Sequence, residues 1–315
     1  MTLIHEFKNP LIEQRADPWI YLHNDGFYYF TGSVPSFNEI EVRRSTTLEG
    51  LREAEPVSVW KRPEEGPLSG YIWAPEIHYI DGKWYIHFAA SEKTLEDEGE
   101  FDHRMYVLEC ESQNPLEGKW EEKGKINTKW ESFSLDATTF AYNGKRYLVW
   151  AQKDSSIPGN SNVYLSEMEN PWTLKGDTIL LTSPEYEWEK IGFLVNEGPA
   201  VLIRDNNIFI TYSASATDYN YCMGLLWADG DSDLLSASSW SKAEKPVFVS
   251  SEKNGQYGPG HNSFTRTKDG EDVLVYHARN YKEIEGNPLK DPNRHTRVKT
   301  FTWDEKGFPV FGEPL

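Results

Sequence analysis

The sequence predicts an all-β fold: a five-bladed β-propeller, with four-stranded antiparallel blades around a central channel. Three observations predict it. One layout recurs five times: a β-rich run, a two-residue turn, then a second β-rich run ending in small polar residues. From Asp17, Trp73, Asp136, Glu197 and His261 to the matching turn residue is 9, 9, 8, 9 and 9 positions. No long stretch carries helical periodicity. Asp-Gly and Asn-Gly turns between β-branched and aromatic residues specify hairpins. Units of about 60 residues repeated in this way close into a propeller. A two-sheet sandwich would show five matching turns only by coincidence.

The first unit runs Ala16-Asp17-Pro18-Trp19-Ile20-Tyr21, turns at Asp25-Gly26 and returns from Phe27 to Ser33. The second runs from Trp73 to Ile80, turns at Asp81-Gly82 and returns from Trp84 to Ser91. The third runs from Leu135 to Phe140, turns at Asn143-Gly144 and returns from Arg146 to Ala151. The fourth runs from Glu197 to Ile203, turns at Asp205-Asn206 and returns from Ile208 to Ser215. The fifth runs from His261 to Phe264, turns at Asp269-Gly270 and returns from Val273 to Arg279. Successive starts lie 56, 63, 61 and 64 residues apart. Third strands are expected at residues 40–43, 105–108, 162–165, 222–226 and 296–300. Weaker fourth strands are expected at 57–60, 120–123, 178–181 and 246–249. The fifth blade lacks one, and the N-terminal run at residues 3–7 is expected to supply it and close the ring.

The propeller gathers the site. The innermost strand of each blade lines the channel, so the start of each unit lies at one common mouth. Those positions hold Asp17, Trp73 with Glu76, Asp136, Glu197 and His261. Carboxylates brought together raise one another's pKa and cost stability, so packing does not account for them. A bound cation or a solvated rim are the structural alternatives. Glu197 sits between an apolar run and a Gly-Pro turn, a setting that desolvates a carboxyl and raises its pKa, as a general acid requires. Two carboxyls flanking a cleft suit acid–base cleavage of a glycosidic bond.

Composition narrows the partners. A net charge of −18 repels polyanions, which argues against nucleic acid. The acidity is spread out, apart from residues 96–100, which read as a solvated loop. The 44 aromatic residues fit a β protein and also a sugar binder, whose flat rings pack on carbohydrate C–H groups. Two cysteines, Cys110 and Cys222, make no disulfide framework. The N-terminus shows no signal-peptide pattern and no apolar run reaches about 18 residues, so the expectation is a cytoplasmic location without membrane contact. At 315 residues the chain is read as one domain, 1–315.

Several motifs occur together in this order: Arg15-Ala16-Asp17-Pro18, Trp73-Ala74-Pro75-Glu76, Ser134-Leu135-Asp136-Ala137, Asn196-Glu197-Gly198-Pro199 and Gly258-Pro259-Gly260-His261-Asn262. With them the chain resembles the family-43 glycoside hydrolases. The resemblance implies an inverting mechanism, with Asp17 as general base, Glu197 as general acid and Asp136 as pKa modulator. It implies that Arg294 reaches the substrate. It also implies that His261 faces a central calcium ion or water cluster, with no cofactor required for the chemistry. Trp73 is the candidate stacking platform, with Glu76 beside it and Phe133 and Phe193 as pocket walls. Loops at 92–103 and 280–293 are long enough to wall off a cleft, which favours exo action on a small oligosaccharide. The implied activity is an exo-acting α-L-arabinofuranosidase. The alternatives are a β-xylosidase and, from a different class, a non-catalytic sugar- or protein-binding propeller.

Overall fold

A computed structural model describes residues 7–93 and 101–315. Blade 1 comprises Ala16–Leu22, Tyr28–Ser33, Glu39–Ser45 and Val57–Lys61. Blade 2 comprises Ile72–Ile80, Lys83–Ala90, Arg104–Cys110 and Glu121–Lys125. Blade 3 comprises Ser134–Tyr142, Lys145–Gln152, Asn162–Asn170 and Thr173–Thr182. Blade 4 comprises Asn196–Arg204, Asn207–Ala214, Cys222–Asp229 and Ser241–Lys242. Among the described residues blade 5 shows Tyr257–Arg266, Asp272–Arg279 and His295–Thr300. Every blade is antiparallel, with its strands in chain order. The first strand of each blade packs against the first strands of both neighbours, and blade 5 meets blade 1. That closed ring is the propeller.

The cores lie between blades. Tyr29, Ile40 and Val42 of blade 1 pack with Ile77, Trp84 and Ile86 of blade 2. Met105 and Val107 meet Leu148 and Trp150 across blades 2 and 3. Val149 and Leu165 meet Ile210 and Leu226 across blades 3 and 4. Phe209 and Leu225 meet Leu274 and Tyr276 across blades 4 and 5. Val273, Val275 and Val298 of blade 5 meet Ile20, Tyr28 and Phe30 of blade 1. Five apolar interfaces explain the alternating aromatic and β-branched runs: each central strand is buried on both faces. Trp84 is a core residue, and Trp19 packs on the same cluster while its indole N–H donates to Ile77 O at 2.8 Å.

One strand expectation is corrected. The outer strand of blade 4 is Ser241–Lys242, not residues 246–249; only Phe248 of that run bridges, to Met223. Pro246 has no N–H to give a ladder. Among the described residues blade 5 shows three strands. Of the N-terminal run expected as its fourth strand, residues 3–6 lie outside the described residues, as do 94–100 with the whole of the acidic 96–100 loop. Among the described residues, 9–12 tie the N-terminal segment to blade 5. Leu11 N–H donates to Thr296 O at 2.8 Å, and Asn9 exchanges two hydrogen bonds with the Val298 backbone, at 2.8 and 3.0 Å.

Candidate active site

Each first strand is broken by a two-residue bulge at its pocket end. The ladder skips residues 17–18, 74–75, 136–137, 198–199 and 261–262. The first residue of every bulge is left-handed: Asp17 at φ 52°, Ala74 at 45°, Asp136 at 58°, Gly198 at 53° and His261 at 42°. Four of these five carry a side chain, and such a conformation costs about 1–2 kcal/mol each. Strain repeated at one ring of positions is held in place by the blades and concentrates at functional sites. The bulge turns Asp17, Asp136 and His261 toward one cavity. It also shifts the expected register. Glu197 and Trp73 sit one residue before the left-handed position, not on it. Gly198 takes that position in blade 4, where an added Cβ would stand 3.1 Å from the His261 ring.

The cavity has a volume of about 410 Å³. Asp17, Asp136, Glu197, His261 and Arg294 line it, and so do Trp73, Phe133 and Phe193. Phe193 is 54% exposed and marks the rim. Trp73 is stacked on His103 at 3.7 Å and met edge-on by Phe101 at 5.0 Å, so its indole is held in place at the cavity wall. Glu76 does not line the cavity, which corrects its assignment as a substrate contact. Beyond the bulge its carboxyl is buried, 3.1 Å from His78 Nε2 and hydrogen bonded by Thr138. There it supports the channel wall. Among the described residues of the 92–103 loop, Phe101 lines the cavity.

Asp17, buried, and Glu197, part-buried at the cavity wall, sit in opposite electrostatic settings. Ser33 Oγ donates to Asp17 Oδ2 at 2.6 Å, and Arg294 Nη1 donates to Oδ1 at 3.4 Å. His261 Nδ1 and His277 Nδ1 stand 3.3 and 3.4 Å from the same Oδ1. Burial alone would raise the Asp17 carboxyl, but His261 and Arg294 outweigh it and hold it well below the usual carboxylate range. Arg294 carries the lasting charge, because burial pushes both histidines down, His277 to about 3. Glu197 goes the other way: burial first, then the Asp17 charge, raise it to about 7 against the opposing pull of Tyr221 and Arg294. Asp136 is also pushed up, by burial and then by the Glu197 and Asp17 charges, while its Oδ2 accepts the Gly198 N–H at 2.9 Å. Two carboxyls this close titrate as a pair.

Three neighbours were not legible in the sequence: Ser33, Tyr221 and His277. None lies on a first strand, so the rule that found the others passes over them. His277 Nδ1 accepts the Asp17 N–H at 3.1 Å, which fixes that end of the bulge. Arg279, fully buried, donates to Thr217 O at 2.7 Å and Pro288 O at 2.8 Å and so ties together two walls of the cavity.

The calcium expectation at His261 was tested against these donors. Calcium takes about six to eight oxygen ligands. Among the described residues no group of three or more His, Cys, Asp or Glu is arranged to hold a metal ion. The nearest carboxylate, Asp17, is already engaged by Arg294 and Ser33. Among the described residues these side chains do not form a calcium site by themselves.

Fold and cavity define a five-bladed propeller with an acid–base pocket, in which carboxyls from three blades meet at one mouth of the channel. The chain belongs to glycosyl hydrolases family 43, whose profile matches residues 7–309. It is 52% identical over 310 residues to an extracellular exo-alpha-(1->5)-L-arabinofuranosidase of Streptomyces avermitilis, covering 98% of this chain and 64% of that protein. It is 52% identical over 283 residues to a protein of the same name from Streptomyces chartreusis, covering 90% of this chain and 85% of the relative. A solved α-L-arabinofuranosidase from Lactobacillus brevis superposes with a TM-score of 0.96 at 56% identity, covering 98% of this chain and 97% of that one. The chain thus spans less than two thirds of the Streptomyces avermitilis relative. The expectation of a cytoplasmic location is overturned by these relatives, two of which are named extracellular.

Proposed function

We propose that this chain is an inverting, exo-acting α-L-arabinofuranosidase that releases terminal arabinofuranosyl residues from arabino-oligosaccharides. One observation carries the reading. Two carboxyls lining one cavity are driven apart in pKa, Asp17 down and Glu197 up to about 7. Such a pair divides into a base that stays ionised and an acid that keeps its proton. Asp17 takes a proton from a water molecule. The water oxygen bonds to the anomeric carbon from one face as the C–O bond to the leaving group breaks on the other. Glu197 passes its proton to the departing oxygen. Asp136 holds the Gly198 N–H and, by sharing its titration with Glu197, tunes the acid. Arg294 keeps Asp17 charged.

The names of the relatives support the arabinofuranosyl assignment. The walls support exo action. Residues 287–289 line the cavity beside Phe193 and are held down through Arg279, so the pocket suits one terminal sugar better than a chain passing through. The experiment is turnover of nitrophenyl α-L-arabinofuranoside beside nitrophenyl β-D-xyloside. A preference for the arabinoside supports the reading, and a preference for the xyloside replaces it with the β-xylosidase alternative. Turnover of neither would return the protein to the class of binding propellers.

The carboxyl settings also fix a pH profile. Glu197 must be protonated to act, so kcat/KM falls as pH rises through about 7. Asp17 must be ionised, and its lowered pKa keeps the acid side flat to below about pH 4, near the ordinary aspartate value. The check is kcat/KM for an oligosaccharide from pH 3 to 9. An acid limb near pH 5 with no alkaline limb near 7 would contradict the assignments.

A further inference from the structure

Tyr221 stands just before the third strand of blade 4 and lines the cavity. It is 1% exposed. Its hydroxyl donates to Glu197 Oε1 at 2.8 Å. Its ring lies parallel to the His277 imidazole, with centroids 5.7 Å apart and planes at 7°. On another side Gly260 leaves it room: a Cβ there would stand 2.5 Å from ring carbons Cδ1 and Cε1. The phenol is therefore held in one orientation by packing, with its oxygen aimed at one of two carboxyl oxygens.

A protonated carboxyl has one carbonyl oxygen that accepts and one O–H that donates. A phenol that donates to Oε1 makes Oε1 the carbonyl oxygen. We propose that Tyr221 is a positioning residue that keeps the acid proton of Glu197 on Oε2, the oxygen that delivers it to the leaving group. The inference rests on the reading of Glu197 as general acid. The balance is simple. The Oε2–H bond breaks, the proton bonds to the leaving oxygen, and that oxygen keeps the electron pair of the broken C–O bond. Glu197 is left as a carboxylate, and the Tyr221 hydrogen bond becomes charge-assisted as the proton departs. An interaction that strengthens along the reaction raises kcat rather than ground-state binding.

Burial, then the charges of Glu197, Asp136 and Asp17, push the Tyr221 hydroxyl well above its ordinary range, so it remains a donor. The other titratable groups at this end of the cavity are Asp17, Asp136, Arg294 and His261, with Asp136 pushed up and His261 pushed down by burial. Replacing Tyr221 by Phe leaves all of them in place.

The test is Tyr221→Phe, read by kcat, KM and pH profile on an arabino-oligosaccharide and on nitrophenyl arabinofuranoside. On the oligosaccharide kcat is expected to fall about 10- to 100-fold, the usual worth of a hydrogen bond to a charged group, with KM nearly unchanged. On the aryl glycoside, whose leaving group needs no proton, the loss is expected to be small. The alkaline limb moves to higher pH, because a donor that favoured the carboxylate is gone. A variant with 3-fluorotyrosine at position 221 keeps the ring and strengthens the donor, so the limb moves to lower pH. A limb that stays put or moves oppositely in either variant overturns the proposal, as does equal loss on both substrates. Glu197→Gln separates the two readings. If that variant still cleaves oligosaccharides, the acid assignment itself fails. If it does not, and Tyr221→Phe behaves as wild type, only the role of Tyr221 fails.

Discussion

Glu197→Gln is expected to lose about 10²- to 10⁴-fold in kcat/KM on arabino-oligosaccharides, the usual worth of a positioned proton donor. On nitrophenyl arabinofuranoside the loss is expected to stay within about tenfold, because nitrophenolate departs without a proton. The residual aryl activity should lose the alkaline limb near 7, since the group that sets it is gone. Stability should change in the other direction. The folded-state pKa of Glu197 is raised from 4.5 to about 7, so between these values the folded protein binds more protons than the unfolded chain. Stability therefore falls as pH rises through that window, and the full cost is present above about 7. Gln does not ionise. The variant should melt at a higher temperature than wild type at pH 8, with the difference shrinking toward pH 4. Equal loss of activity on both substrates would contradict the acid role; an unchanged melting temperature at pH 8 would contradict the burial argument.

Asp17→Asn should be close to inactive on both substrates, with a loss of about 10³- to 10⁴-fold, since every substrate needs the water activated. The change is nearly isosteric, and Ser33 Oγ can still donate to the remaining carbonyl oxygen. A second readout separates lost chemistry from lost structure. The Asp17 charge is one of the causes that raise Glu197. Removing it lowers Glu197, so the residual activity should show its alkaline limb at lower pH than wild type. An oligosaccharide-specific loss, like that expected of Glu197→Gln, would mean that the base and acid have been exchanged.

The propeller was legible because its physics is periodic. Each blade needs a hairpin, and Asp-Gly or Asn-Gly marks four of the five turns between first and second strands. The acids were legible because a propeller brings first strands together, so Asp17, Asp136 and Glu197 could be grouped across nearly 200 residues of chain. What failed is equally physical. The bulges reset strand alternation, so the direction of Glu76 could not be read from the side of the strand that Trp73 faces. Pro18, Pro75 and Pro199 each follow the left-handed residue of their bulge. Aligning the units on those prolines would have shown that Glu197 and Trp73 precede that position. His277 lies on a second strand and Tyr221 just before a third, and they reach the acids only through tertiary packing, which no local pattern encodes. The docking of residues 9–12 on blade 5 was not legible because Asn9 bonds the Val298 backbone through its side chain, a contact that strand propensity does not signal.

The central claim is that water attacks from the Asp17 side while a proton arrives from the Glu197 side, in a single displacement. Proton NMR of the sugar released in the first minutes of hydrolysis tests this most directly. From an α-linked arabinofuranoside the account predicts β-arabinofuranose first, with the α anomer growing in only by mutarotation. Initial appearance of the α anomer would contradict it.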